Sequence, residues 1–193
     1  MNFISLLITF LIYFFIIYSI EKFFSFEKSL IIKSVIFTLL IFIYKLKLHI
    51  KLPYYIYIIF IIYGIIIIFL PQKWVKSDSF RIYINRKRLL LIPLSAAITE
   101  EVFFRGILNT KLLFIYNNIY IAVMISSLLF ALIHIFNLFN GIENKRYFFI
   151  TFPIRFAFGL FFSYVYFKYG LLSAIILHFL IDFPALYKIY KLQ

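Results

Sequence analysis

A polytopic bundle of about seven transmembrane helices, all-α, is the fold this sequence predicts, within a range of six to eight spans. Two observations predict it. Hydrophobic residues make up 65% of the 193-residue chain, and the mean hydropathy is +1.05, more apolar surface than a soluble domain of this length hides or exposes. Those residues also fall into blocks close to the roughly 17–25 that cross a bilayer as a helix, with short polar or helix-breaking punctuation between them. Cysteine is absent, which excludes a disulfide framework, thiol catalysis and cysteine-ligated metal sites.

The first span reads Phe3–Ile20. It lacks a basic leader and a small-residue cleavage site, so Met1–Ile20 is expected to stay as an uncleaved span. The second reads Leu30–Tyr44, short but extensible toward His49. Pro53 opens the third, Tyr54–Leu70, and Pro71 closes it. The polar stretch Gln72–Arg88, with six basic residues and one acid, is too short to be a domain. The fourth span, Leu89–Leu113, ends at Asn117–Asn118, and the fifth, Ile119–Phe139, at Asn140–Gly141. The sixth, Tyr147–Phe167, contains Pro153, which predicts a kink or a split. Gly170 separates it from the seventh, Leu171–Tyr187. The chain thus divides into N-terminal spans and a basic loop (1–88), a core richer in polar residues (89–187) and a short tail (188–193).

The formal net charge of +13 comes from 20 Lys plus Arg against 7 Asp plus Glu. Basic loops on a membrane protein face anionic lipid and fix topology. No basic motif interleaved with aromatics is present, so nucleic acid is not an expected partner. The seven-span reading puts twelve basic loop residues on one side and five on the other. This predicts an outer N-terminus and a cytoplasmic C-terminus in an integral membrane protein, with a bacterial cell membrane the expected location.

Ionisable residues inside the spans are costly and mark functional sites. Glu100, Glu101 and Arg105 lie within the fourth span, His134 in the fifth, and His178 and Asp182 in the seventh. Glu101 and Arg105 are four apart and share a helix face, whereas Glu100 is turned by about 100° from Glu101. One arrangement has Arg105 neutralise Glu101 and leaves Glu100 facing a cavity. A purely structural ion-pair network is the other reading, and two acids against one base weigh against it. His178 and Asp182 also share a face. Arg155 follows Pro153 and has three possible fates: a pair with Asp182, a pair with the glutamates, or an interfacial position. Lys33 is expected to snorkel. Ser95 and Thr99 carry hydroxyls near the glutamates, but no base stands at a nucleophile's spacing. This set can activate water through a bound metal or through a carboxylate acting as general base. No His-Glu-x-x-His helix is present.

Three segments carry a resemblance: Glu100–Glu101–Val102–Phe103–Phe104–Arg105, Phe130–Ala131–Leu132–Ile133–His134 and His178–Phe179–Leu180–Ile181–Asp182. Together, in order and on consecutive apolar blocks, they resemble the CAAX protease and bacteriocin-processing (CPBP) family of intramembrane endopeptidases. The resemblance covers roughly Leu89–Tyr187. It implies a glutamic endopeptidase in which Glu100 is the general base, assisted by His134. His178 and Asp182 would support the oxyanion, and Glu101 with Arg105 would shape the site. An ionised Asp182 would repel an oxyanion, so a protonated Asp182, or one that orients His178, fits better. The resemblance implies no cofactor for the glutamate route. If the chemistry is instead metal-dependent, a divalent ion such as zinc would fall to Glu100, His134 and His178. The implied substrates are hydrophobic or membrane-anchored peptides, in a family linked to prenylated tails, bacteriocin maturation and self-immunity. Two other readings stay open: a non-catalytic immunity or scaffold protein that keeps the site as a pocket, and a proton-coupled transporter. No inverted repeat supports the latter.

Overall fold

The structure is a computed structural model that describes residues 3–71 and 84–192. The part of the basic loop at 72–83, with Lys73, Lys76 and Arg81, lies outside the described residues.

All regular structure among the described residues is helical. The elements are α1 (Phe3–Phe23), α2 (Phe26–Ile43), α3 (Tyr54–Phe69), α4 (Arg88–Glu100), a π-helical segment (Glu101–Leu108), α5 (Asn109–Tyr116), α6 (Ile119–Ile133), α7 (Ile135–Phe139), α8 (Lys145–Tyr169) and α9 (Leu171–Lys191). Among the described residues four stretches are long and apolar enough to cross a membrane: Phe3–Phe23, Ile119–Phe139, Lys145–Tyr169 and Leu171–Lys191. Tyr54–Phe69 is apolar but shorter.

The helix ends have local causes. The side chain of Asn118 accepts from the backbone N–H groups of Tyr120 and Ile121 and so caps α6. Asn144 does the same for α8 through Tyr147 N–H. Gly170 has φ +94°, a value L side chains avoid, and a Cβ there would stand 2.7 Å from the backbone oxygen of His49. This close approach lets Leu171 N–H bond the Lys47 carbonyl, which ties the connection after α2 to the start of α9. α8 runs unbroken through Pro153, so the split the sequence allowed does not occur.

The helices expose their apolar residues outward. Of the sixteen residues in α3 only Gly64 is buried, and α1 presents Phe3, Leu7, Leu11 and Phe15 at its surface. Such faces suit lipid, whose tails are as apolar as the side chains, so helices there associate by close packing rather than by escape from water. The packing follows that logic. α6 and α8 meet where Gly159 faces Ser127, α3 meets α9 where Gly64 faces Pro184, and α2 packs along α4. One core joins the motif-free and motif-bearing helices: Leu6 and Tyr13 of α1 and Phe37 and Ile41 of α2 pack with Phe103, Phe104 and Phe130. Tyr13 stacks on Phe103 with centroids 3.8 Å apart, and Phe104 meets Phe130 edge-on at 5.4 Å.

A Cβ at Gly159 would lie 2.9 Å from Ser127 Cβ and 3.0 Å from its Cα, and the latter is backbone that cannot rotate away. Gly159→Val is expected to force α6 and α8 apart and to cost about 1–3 kcal/mol. The check is a lower midpoint of thermal unfolding in detergent; an unchanged midpoint would contradict the close approach.

Candidate active site

The site is built around the π segment. α4 passes at Glu101 into i→i+5 hydrogen bonding and returns to α-helix at Asn109. π turns are rare and concentrate at functional sites. Helices α2, α6, α8 and α9 all pack against this stretch, and all eight of its residues, Glu101 to Leu108, are buried.

Glu101 and Arg105 are 0% and 1% exposed, with Arg105 Nε 3.1 Å from Glu101 Oε2. The contact is an ion pair by distance, but its angles do not make a hydrogen bond. The rest of the guanidinium charge lies over rings: its carbon is 4.1 Å from the Phe130 centroid, 5.5 Å from Phe162 and 5.9 Å from Phe104. Arginine is the cation suited to such a setting, because its planar, weakly hydrated group stacks on aromatic faces.

The other oxygen of Glu101 meets α9: His178 Nδ1 is 2.7 Å from Glu101 Oε1. His178 Nε2 lies 3.2 Å from Asp182 Oδ2 and 4.0 Å from Glu100 Oε2. Phe162 of α8 stacks flat on the His178 ring at 5.3 Å, and Phe130 meets it edge-on at 6.2 Å. The histidine is thus fixed at both nitrogens and on two ring faces.

Glu100 occupies the last α turn and points elsewhere. One of its oxygens, Oε2, is buried without a hydrogen-bond partner, while the side chain keeps 22% exposure. It lines a cavity of about 940 Å³ together with His134. His134 stands at the break between α6 and α7, where its Nδ1 lies 2.9 Å from the Phe130 carbonyl. A carbonyl only accepts, so Nδ1 carries the hydrogen and a neutral ring keeps Nε2 as its acceptor. From Glu100 the cavity widens past Tyr13, Phe14 and Ile17 of α1 to Phe24 and Phe26 at the α1–α2 turn and Asn140 beyond α7.

Arg155 pairs neither with Asp182 nor with Glu100 and Glu101. It grips Glu143 with both arms, NH1 to Oε2 at 3.0 Å and NH2 to Oε1, and Asn137 Nδ2 donates to the same carboxylate at 2.9 Å. This clamp, which folds the α7–α8 connection onto α8, was not foreseen from the sequence. Its one sequence trace is an acid in a short loop twelve residues before an arginine inside an apolar helix. Lys33 Nζ pairs with Glu21 Oε1, near the end of α1, at 2.7 Å. Ser95 Oγ donates to the Leu30 carbonyl at 2.9 Å, which commits it to holding α4 on α2. Tyr13, from the motif-free α1, is a wall of the cavity that no sequence signal marked.

Both nitrogens of His178 face carboxylates, and Nδ1 of His134 is held by a carbonyl, which leaves its Nε2 open. No group of three His, Asp or Glu side chains placed to hold a metal ion is present among the described residues.

Residues 86–184, just over half of the chain and spanning Glu100 through Asp182, match the family model described as Type II CAAX prenyl endopeptidase Rce1-like. No curated protein and no solved structure matches the chain.

Removing the cation should leave the Glu101 carboxylate buried without its ion-pair partner. Arg105→Leu is therefore expected to destabilise the fold by about 3–5 kcal/mol. Thermal unfolding in detergent checks this, and a variant as stable as the parent would show that the pair is dispensable.

Proposed function

The chain belongs to the Rce1-like family of type II CAAX prenyl endopeptidases, and on that premise we propose that it hydrolyses peptide bonds of hydrophobic or membrane-anchored peptides by water activated at Glu100. The observation that carries this reading is the division of labour between adjacent glutamates. Glu101 is consumed by Arg105 and His178, while Glu100 lines a cavity and makes no hydrogen bond through Oε2, whose near neighbour is His178 Nε2 at 4.0 Å.

In the proposed reaction a water sits between Glu100 and His134. Glu100 takes one proton as the water oxygen attacks the scissile carbonyl carbon. His134, fixed by its Nδ1–H to the Phe130 carbonyl, accepts a hydrogen bond at Nε2 and aligns the water's second hydrogen. His178 stands 4.0 Å from Glu100 and is the nearest candidate to stabilise the charge on the tetrahedral oxygen. Asp182 acts through His178: it meets Nε2 at 3.2 Å and sets the ring's orientation. The intermediate collapses when Glu100 returns its proton to the leaving nitrogen and the C–N bond breaks. Water is consumed, and a new carboxylate and a new amine are released. The aromatic lining of the cavity suits an apolar chain.

Glu100→Gln keeps the shape and removes the base. It is expected to lower turnover of a fluorogenic hydrophobic peptide by at least about 10²-fold while the protein still inserts and unfolds at the parental temperature. His134→Ala should fall similarly. Parental turnover by either variant overturns the assignment.

On the glutamate route, prolonged treatment of the purified protein with a strong chelator should leave the rate unchanged. Loss of activity that zinc restores would establish a metal route instead.

A further inference from the structure

A second opening lies on the other side of Tyr13. It is a crevice of about 210 Å³ between α1 and α2, walled by Ile8, Ile12 and Ile16 of α1, Phe37 and Leu40 of α2, and Phe103 of the π segment. Ile8 and Ile12 on its lip are 49% and 53% exposed, so it opens toward the lipid. One end carries a single charge. Lys111 of α5 reaches in and donates from Nζ to Thr9 Oγ1, whose own hydrogen goes to the Ser5 carbonyl at 2.7 Å.

The lysine's position is the anomaly. A lysine near a helix end ordinarily extends its stem along apolar surface and puts its ammonium in the headgroup layer. Lys111 is instead held at the level of Thr9, six residues and about 9 Å along α1 from Phe3. Among the described residues no carboxylate stands within ion-pair distance of it. A cation met only by a neutral hydroxyl, at the head of an apolar slot open to the bilayer, complements an anionic headgroup followed by an apolar tail.

We propose that this crevice binds one acyl chain of an anionic phospholipid, with the lipid phosphodiester at Lys111. The chain lies along Ile12, Ile16 and Leu40 and backs Tyr13, which stacks on Phe103 and also lines the Glu100 cavity. The phosphate takes the remaining Lys111 donors while Thr9 keeps the ammonium in place. The inference stands whether or not the cavity hydrolyses peptides, because it rests on residues that take no part in that reaction.

The test is native mass spectrometry of the full chain released from detergent after titration with phosphatidylglycerol or phosphatidylcholine of identical acyl chains, with inorganic phosphate as a third arm. The expected result is a first lipid bound with a preference for the anionic headgroup, and no binding of phosphate alone. Lys111→Gln should reduce that preference about five-fold, the worth of one lysine near an anionic surface. Lys111→Arg should keep it, and Lys168→Gln, a lysine away from the crevice, should leave it unchanged. Ile12→Trp, which fills the slot and spares the charge, should remove the tightest lipid of either type and carries the test if Lys111→Gln does not fold. Equal binding of both lipids by the parent, an undiminished preference in Lys111→Gln, or an equal loss in Lys168→Gln overturns the proposal, since general attraction to a basic protein would then account for the binding. Binding of inorganic phosphate at matched affinity would overturn the lipid assignment.

Discussion

The carboxylate of Glu101 is the constraint to which the rest of the molecule answers. A buried carboxylate in a bundle made for lipid is tolerable only if both of its oxygens are engaged. Arg105 supplies one partner from the next turn of the same helix, and His178 supplies the other from α9. The second contact brings the last helix of the bundle against the fourth and sets the histidine ring beside Glu100. Arg105 in turn needs its own charge met, which is why the rings of Phe104, Phe130 and Phe162 gather around it. Phe130 also meets both histidines edge-on, so the aromatic shell of the arginine is the support of the site.

Local relations were legible in the sequence, and long-range ones were not. Several helices begin at residues with a mechanism: Pro53 before α3, Asn118 as the cap of α6, Gly170 with its positive φ before α9. The contact of Glu101 with Arg105 is a matter of four-residue spacing, readable without a fold. The partner of Arg155 was not readable, because Glu143 reaches it only when the α7–α8 connection folds back, and helix periodicity says nothing about that. Nor was the contribution of Tyr13, whose place beside Glu100 depends on how α1 packs. The π segment left no trace at all. Its eight residues are buried on every side, so no apolar stripe marks its period.

Tyr13 stands between two spaces of opposite character. On one side lies the wide cavity with Glu100 and His134; on the other lies a narrow apolar slot with a single ammonium at its head. Tyr13 lines both spaces; Phe103 stacks on it at 3.8 Å and Phe37 meets it edge-on at 5.7 Å, both on the side of the slot. A helix that carries no motif residue thereby supplies part of the site's wall. The family-matched region from residue 86 onward is bounded on that flank by α1, which lies outside it.

The π segment also makes chain length a constraint separate from residue identity. Each residue of an α-helix turns the chain by about 100°. Dropping one residue between Glu101 and Leu108 would swing everything after it through that angle relative to α4. Asn109, whose Nδ2 bonds Ser163 on α8 at 3.0 Å, would leave its partner, and Lys111 would turn away from Thr9. Conservative replacements at the buried apolar positions of this stretch change volume; a deletion changes the direction in which every later side chain faces. Homologous sequences that keep the paired glutamates should therefore show this stretch free of insertions and gaps even where its apolar residues vary.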